Sequence, residues 1–533
     1  MKKNQLFANK FFHAFLAGAF LNLAFAPFNF FIAVFVSLSA FFLLLEKETH
    51  KKQIFWLGFA FGFGHFLCGV YWIAISLLVD AVSFAWLIPF AITLIPAALA
   101  TYIGLLSLLY KFLLRRFSLK LLWHKITVFA LCWLFFEILR SVLFSGFPWN
   151  LLGYVWLFNV NFAQLAAVFG VYGLSLMAVM IGLLPLFFIE RKKIILSDKI
   201  FAAFLVMLFV ANFAYGMVRI SQNPNQESDV KLRLVQGNIK QEMKWDPQQK
   251  YLNLLKHIEL TNQESLAEVD ALLWSETSVP YPIGDSVELM NELQKAVPTQ
   301  GVLITGGLRL GYTDSSKTEV NQIWNSIFAV SKTNLQFYDK SHLVPFGEYV
   351  PLEKYLPFVS KITDGAMGFS EGEGNKTLQT EQFSFSPLVC YEIIFSGKII
   401  DRNNRPQLLV NLTNDAWFGN STGPYQHLNM AKMRAIEYGI PLARVANSGI
   451  TAFVDPIGRV IKQINLNQEG IFDINLIKNL APTYYGQYCY LPLALFIATI
   501  LTLLITTKYL YHVRQNNSSR RAPGKKIARV PLT

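Results

Sequence analysis

Long apolar runs separated by short basic clusters fill the first 219 positions and recur once near the C-terminal end. About 20 consecutive apolar residues cross a bilayer as a helix. By that measure the sequence predicts spans near 11–27, 29–45, 54–78, 84–110, 122–143, 163–189, 198–217 and 489–507. Only Ala26-Pro27-Phe28-Asn29 separates the first two. Ala24-Phe25-Ala26, after Lys2, Lys3 and an apolar core, is also the pattern of a signal-peptidase site. The immediate return to apolar sequence favours a retained span.

Between 220 and 488 the pattern changes. Ile220 to Val230 is a polar linker. Short β-type runs follow at Leu232–Gln236, Asp270–Trp274, Val302–Thr305, Ile327–Val330, Leu335–Tyr338, Phe383–Val389, Leu408–Leu412, Leu442–Ala446 and Ile450–Val454. Helical periodicity fits 247–268, with Tyr251, Leu254, Leu255, Ile258 and Leu266 near one face, and also 285–296 and 425–437. Strands interleaved with helices predict one α/β or α+β domain.

Composition agrees. Of 533 residues, 53% are hydrophobic and only 15% charged, with a mean hydropathy of +0.37. Charge placement adds orientation. Basic residues cluster at Lys2/Lys3/Lys10, Lys47/Lys51/Lys52, Lys111 to Lys125, Arg191 to Lys199 and Lys508 to Arg529, on alternate connections. The positive-inside rule puts these on the cytoplasmic side, giving eight spans with both termini inside and 219–488 outside. The inside segments carry 22 basic residues against four acids, the outside segment 24 against 28. The net charge of +13 therefore reports topology and contact with anionic lipid, and points away from nucleic acid. The polar, basic tail from Gln515 has the composition of a disordered segment.

Cys390 is the only cysteine in 220–488. It ends an apolar strand and opens a helical turn, an elbow whose N–H groups are expected to lower the thiol pKa. The alternative is an inert, buried thiol. Glu276 and Lys340 also follow predicted strands, so the three are expected to converge on one edge of a sheet. A thiol that carries an acyl group needs a base and a cation for the oxyanion, which Glu276 and Lys340 supply. Lys340 and a Cys390 thiolate are expected to shift each other's pKa downward in a partly dry site. The eight histidines show no metal-ligand spacing, and no phosphate-binding glycine loop is present.

Trp274-Ser-Glu276-Thr277, Tyr338-Asp-Lys340-Ser-His-Leu-Val-Pro-Phe-Gly-Glu348-Tyr-Val-Pro351 and Cys390-Tyr-Glu392 resemble the Glu-Lys-Cys motifs of the nitrilase (carbon–nitrogen hydrolase) superfamily. With Val235-Gln-Gly-Asn238, Lys244-Trp245-Asp246-Pro247, Thr413-Asn-Asp-Ala-Trp-Phe-Gly419 and Gln426-His427, the chain resembles the bacterial apolipoprotein N-acyltransferase family within it. Glu137-Ile-Leu-Arg140 and Phe144 to Tyr154 fit that family's outward-facing segment after the fifth span. Ser275 and Ser341 depart from residues common at those positions, Pro and His.

The resemblance implies a membrane domain of about eight spans joined to an αββα nitrilase-like domain. The expected division is 1–219, seven helices; 220–488, catalytic and extracytoplasmic; 489–508, the eighth span; and 509–533, a basic cytoplasmic tail. It implies a ping-pong transfer from a phospholipid, preferentially phosphatidylethanolamine, through a Cys390 thioester to the α-amine of a diacylglyceryl-cysteine apolipoprotein. It implies catalytic roles for Glu276, Lys340 and Cys390 and supporting roles for Trp245, Asn325, Glu348, Tyr391 and Glu392. Tyr391 N–H is a candidate oxyanion donor, Glu392 a brace for the elbow, and Asn325 an orienter of the lysine or glutamate. Trp245, Trp417, Phe418 and Phe346 are candidates to line or cover the site. Arg140 and Glu137 are expected either to pair structurally or to bind a lipid headgroup. No cofactor, metal or nucleic acid is implied; the expected form is a monomer in the bacterial inner membrane with the catalytic domain in the periplasm. The rivals are a membrane-tethered amidase using the same triad, and a transporter or lipoprotein receptor without catalysis.

Overall fold

The computed structural model describes residues 2–189, 194–314, 316, 317, 319–351 and 367–520, with side chains described between Lys10 and Tyr509. In chain order the first half contains α1 (Lys2–Leu21), α2 (Ile32–Glu46), α3 (Lys51–Gly69), α4 (Ile88–Phe117), α5 (Leu122–Val142), α6 (Ala166–Gly182) and α7 (Leu196–Gln222). Each matches one predicted span. Among the described residues, five helices are long and apolar enough to cross a membrane: Ala81–Phe117, Leu122–Ser145, Ala166–Ile189, Leu196–Gln222 and Leu491–Tyr509. Lys10–Ala24 and Ile32–Glu46 are apolar but shorter.

The third predicted span, 54–78, is a shorter helix than expected. It stops at Gly69, where a Cβ would lie 2.2 Å from Asn150 Nδ2, and the chain then turns into the short helix Ile73–Ser76. Small residues let the first helices touch backbone to backbone. A Cβ on Gly18 of α1 would sit 1.9 Å from Phe61 O, and one on Gly64 of α3 would sit 2.1 Å from Phe15 O. At one end of the bundle Glu46 binds Lys111 (2.8 Å) and Lys125 (2.5 Å), tying α2, α4 and α5 together.

Two sheets follow. The first contains β1 (Glu227–Gln236), β2 (Ala271–Leu273), β3 (Val279–Pro282), β4 (Val302–Tyr312), β5 (Val320–Val330), β6 (Leu335–Asp339) and, from far downstream, β13 (Gly470–Ile477). Its order is β13-β1-β2-β4-β5-β6, with β3 on β4. The second contains β7 (Leu378–Gln379), β8 (Ser384–Val389), β9 (Leu408–Thr413), β10 (Leu442–Ala446), β11 (Thr451–Val454) and β12 (Val460–Ile464), in the order β12-β11-β10-β9-β8-β7.

Alternation of side chains builds the layers. Leu232, Leu234, Ala271, Leu273, Ile304 and Ile327 meet Phe385, Val389, Val410, Leu412, Val445 and Phe453 between the sheets. The outer face of the first sheet, including Val235, Leu272, Leu303 and Phe328, packs on α8 (Lys250–Thr261) and α9 (Val287–Ala296). The outer face of the second packs on α10 (Gly423–Tyr438). The result is an αββα sandwich. Its α10 side shares one continuous apolar cluster with the membrane helices, from Leu442 and Met433 through Tyr485 to Trp156 and Phe41. The last described element is α11 (Leu491–Arg520).

Helix α8 is shorter than the predicted 247–268. Buried Arg233 of β1 takes the carbonyls at its end, donating to Thr261 O (2.8 Å), Glu264 O (2.7 Å) and Ser265 O (3.1 Å), so the chain leaves the helix there. The tail expected to be disordered from Gln515 continues α11 as far as Arg520, and 521–533 fall outside the described residues.

Candidate active site

Strand β8 is buried throughout, and the chain turns sharply at its end. Cys390 adopts φ +49°, the left-handed region, and opens a five-residue 3-10 turn through Ile394. A non-glycine residue there costs about 1–3 kcal/mol and persists only where its surroundings hold it. Glu392 supplies the hold. Its Oε2 accepts from Val389 N (2.7 Å), while its Oε1 accepts from Tyr338 OH (2.8 Å), Ser341 N (2.8 Å) and Ser341 Oγ (3.0 Å). One carboxylate thus laces the cysteine elbow to the loop that carries Lys340.

Lys340 follows β6 and is 1% exposed. Its Nζ donates to Glu348 Oε1 at 2.8 Å. Asn325 of β5 lies between two carboxylates, its Nδ2 2.8 Å from Glu276 Oε1 and 3.2 Å from Glu348 Oε1. Its backbone O accepts from Lys340 N (2.9 Å), so one residue orients both the lysine and the glutamates. Glu276 follows β2 in a turn pressed onto β4, where a Cβ on Gly306 would come within 2.7 Å of Glu276 Cα. The three strand-end residues therefore meet as expected, with one correction. Glu276 and Lys340 come from the first sheet and Cys390 from the second, so they converge at one end of two facing sheets.

The electrostatics correct two further expectations. Burial pushes the Cys390 thiol up to about 12; the Glu276 charge adds to this and Lys340 opposes it. The elbow does not lower the thiol pKa, because loss of solvent outweighs its neighbours. Lys340 also moves upward. Burial disfavours its ammonium, but Glu348, then Glu276 and Cys390, more than compensate. An anion favours a neighbouring cation's charged form, so mutual lowering does not occur. The resting site holds a neutral thiol beside a charged lysine.

Several residues with roles in this site were not singled out in the sequence. Lys244 Nζ, fully buried, donates to Glu276 O (2.8 Å) and Thr277 Oγ1 (3.2 Å). Burial lowers its pKa to about 8 against the pull of Glu276 and Cys390. Thr413 Oγ1 lies 3.2 Å from Cys390 Sγ, backed by Asp415, His427 and Arg444. Their position inside the motifs 244–247 and 413–419 was the available signal.

The elbow rests on the membrane half. Tyr391 OH donates to Gly146 O (2.9 Å), His342 Nε2 lies 2.9 Å from Ser145 O, and Ser145 Oγ lies 2.8 Å from Tyr349 OH. Trp149 Nε1 donates to Gln426 Oε1 of α10 (2.7 Å). Phe418, a candidate lid, is instead a docking residue packed edge-on against Trp72 (4.5 Å between centroids) and Trp149 (5.7 Å). Trp245 is half-buried beneath Lys250 Nζ (5.3 Å), Trp417 is half-buried, and Phe346 is exposed. Arg140 and Glu137 both serve the turn after α5. Arg140 Nη1 donates to Phe147 O and, at 2.8 Å, to Trp149 O, and Glu137 Oε1 accepts from Leu152 N (2.8 Å) and Trp133 Nε1 (3.0 Å). Arg140 is 4% exposed, held within this turn.

Comparison with known proteins gives the same assignment for both halves. Residues 17–184 match the apolipoprotein N-acyltransferase N-terminal domain, and residues 231–481 match the carbon–nitrogen hydrolase family. Apolipoprotein N-acyltransferase of Rickettsia typhi is 37% identical, covering 92% of this chain and 96% of its own length. That of Rhodopseudomonas palustris is 35% identical, covering 93% and 94%. Among solved structures, a CN-hydrolase superfamily protein from Xanthomonas campestris aligns with 47% of this chain and 91% of its own, at 18% identity and a TM-score of 0.33. With both halves matched and identity extending over nine-tenths of its length, the chain belongs to the apolipoprotein N-acyltransferase family.

Proposed function

We propose that this membrane enzyme transfers an acyl chain from a phospholipid to the N-terminal amine of a diacylglyceryl-cysteine apolipoprotein, with Cys390 as the carrier and Glu276 and Lys340 as its partners. The observation that carries the reading is the buried group Glu276–Asn325–Glu348–Lys340 beside a neutral thiol at a strained elbow. In the first half-reaction Cys390 Sγ attacks the ester carbonyl while its proton passes to Glu276. Lys340 and Tyr391 N–H stabilise the oxyanion. Collapse expels the lysophospholipid oxygen, which takes the proton back from Glu276. In the second half-reaction the α-amine attacks the thioester, Glu276 takes its proton, and the departing sulfur is reprotonated. An α-amine titrates near pH ~8, so a useful fraction is neutral and nucleophilic at physiological pH.

Both substrates are anchored in lipid, so the reaction needs its thiol close to a bilayer. The contacts of Tyr391 and His342 with Gly146 and Ser145, just beyond α5, support that arrangement. The proposed division is a membrane domain over 1–219, a catalytic domain over 220–488 facing the periplasm, a last span over 489–508 and a cytoplasmic tail over 509–533. The proposed setting is the bacterial inner membrane, with phosphatidylethanolamine as donor and a monomer as the working form. Trp245 and Phe346 are proposed to shield the thioester from water. Glu348, Asn325 and Glu392 are proposed to position the three reacting groups.

The test is transfer to a diacylglyceryl-cysteine peptide in detergent with phosphatidylethanolamine as donor. Wild type adds one acyl chain to the peptide, and Cys390→Ala adds none. Full transfer by the alanine variant overturns the cysteine mechanism.

A further inference from the structure

Thr413 is the last residue of β9 and is completely buried. The strand's period of two puts Leu409, Asn411 and Thr413 on the face toward α10. Both polar side chains are directed at the elbow. Asn411 Nδ2 donates to Leu388 O (3.1 Å) and Cys390 O (3.3 Å). Thr413 Oγ1 lies 3.2 Å from Cys390 Sγ and 3.0 Å from Asp415 Oδ1. We propose that the Thr413 hydroxyl is the switchable hydrogen-bond partner of the Cys390 sulfur, accepting from the resting thiol and donating to the sulfur as it becomes anionic. This rests on the reading of Cys390 as nucleophile.

The argument is one of proton count. A hydroxyl has one proton to give and can accept on its lone pairs. Ionised Asp415 can only accept. Burial opposes its charge, but Arg444 and then His427 outweigh burial and hold the carboxyl well below the usual carboxylate range. In the resting site Thr413 therefore donates to Asp415, and the thiol S–H points at Thr413 Oγ1. When the sulfur's proton moves to Glu276, the thiolate has no proton to offer and needs one. The hydroxyl turns, giving its proton to sulfur as a hydrogen bond without transferring it. Asp415 tolerates the loss because Arg444 Nη2 (2.6 Å from Oδ2) and His427 Nδ1 (3.1 Å from Oδ1) remain. Arg444 is held in turn by Asn411 Oδ1. Thr413, Asp415, His427 and Arg444 are buried away from bulk solvent.

The charged groups that face the sulfur are Glu276 and Lys340 from the first sheet, Lys244 from the segment before α8, and Asp415 after β9, with His427 of α10 behind it. The two carboxylates oppose a thiolate. Thr413 is a neutral group at hydrogen-bond distance that favours it. A hydrogen bond to a charged group is worth more than one to a neutral group, so its loss weighs on the thiolate more than on the thiol.

The experiment is alkylation of full-length, detergent-purified protein by iodoacetamide, read at the Cys390 peptide by mass spectrometry across alkaline pH, for wild type, Thr413→Val and Thr413→Ser. Below the thiol's midpoint the rate follows the thiolate fraction. The valine variant, which keeps the shape, is expected to shift the profile upward by about one pH unit, roughly tenfold slower at a given pH. The serine variant is expected to restore the wild-type profile, and acyl-enzyme formation to follow the same order. An unshifted profile for valine overturns the proposal, as does loss of transfer with the profile unmoved, since that is loss through fold. If valine fails to give a folded protein, Thr413→Ala against Thr413→Ser reads the same difference. Transfer retained by Cys390→Ala would instead remove the nucleophile reading, while the alkylation comparison still reports on the hydroxyl.

Discussion

Lys340 and Glu348 form a buried ion pair, Nζ to Oε1 at 2.8 Å, with side chains 1% and 8% exposed. Breaking such a pair strands a charge away from water and costs about 3–5 kcal/mol. Glu348→Ala is therefore expected to lower the unfolding midpoint and to abolish acyl-enzyme formation, because the lysine loses its position as well as its partner. Glu348→Gln, which can still accept from Lys340, is expected to keep more stability than activity. Thermal unfolding beside single-turnover kinetics separates the two; wild-type turnover in Glu348→Ala would contradict the role.

Asn325 bridges Glu276 and Glu348 through one amide nitrogen. Asn325→Asp puts a third acceptor-only carboxylate against the other two. Like charges at this range force protonation of one member. The variant is expected to lose acyl-enzyme formation near neutral pH and to recover part of it as pH falls. A pH–rate profile identical to wild type would contradict the bridge.

Lys244 carries its charge inside the protein at a cost. Its folded pKa, lowered to about 8 from 10.5, means the unfolded chain binds more protons between those values. Stability from this group is thus least below pH 8 and rises as pH climbs toward 10.5, by about 3 kcal/mol at most before its hydrogen bonds are counted. Lys244→Met removes this dependence and also releases Glu276 O. The difference in unfolding free energy between wild type and Lys244→Met is expected to rise across that window, while acyl-enzyme formation by the variant is slowed at every pH. A flat difference argues against a buried ammonium.

Trp149 ties the turn after α5 to α10 and packs on Trp72 and Phe418. Trp149→Ala leaves a cavity and an unpaired Gln426, a loss of about 3–5 kcal/mol. The catalytic sandwich is expected to become more open to protease at 415–419 and less active on lipid-anchored donors. Unchanged proteolysis would mean that the docking does not depend on this ring.

Much of this was legible in the sequence because local pattern and chemistry coincided. Hydropathy located α1 to α7 and α11, and their places at the ends of predicted strands singled out Glu276, Lys340 and Cys390. The triad's setting in two sheets was hidden, since alternation fixes a strand's faces but not which sheet it joins. Strands β3, β7, β12 and β13 were missed. β7 has two residues, and β12 is exposed along most of its length, so neither presents a clear alternation. Lys244 and Thr413 were legible as motif members but not as partners of the site. Their roles depend on burial and on contacts between residues 23 and 33 positions apart. The thiol's upward shift has the same origin, because a sequence shows the charges near Cys390 but not the loss of water around it.

The most direct test is the intact mass of the purified protein after incubation with phosphatidylethanolamine, beside Cys390→Ala. The expected result is a gain of one acyl chain in wild type alone, removed on adding a diacylglyceryl-cysteine peptide that then carries it. If no adduct forms and no lysophospholipid is released, or if Cys390→Ala gains the same mass, the thioester account is wrong.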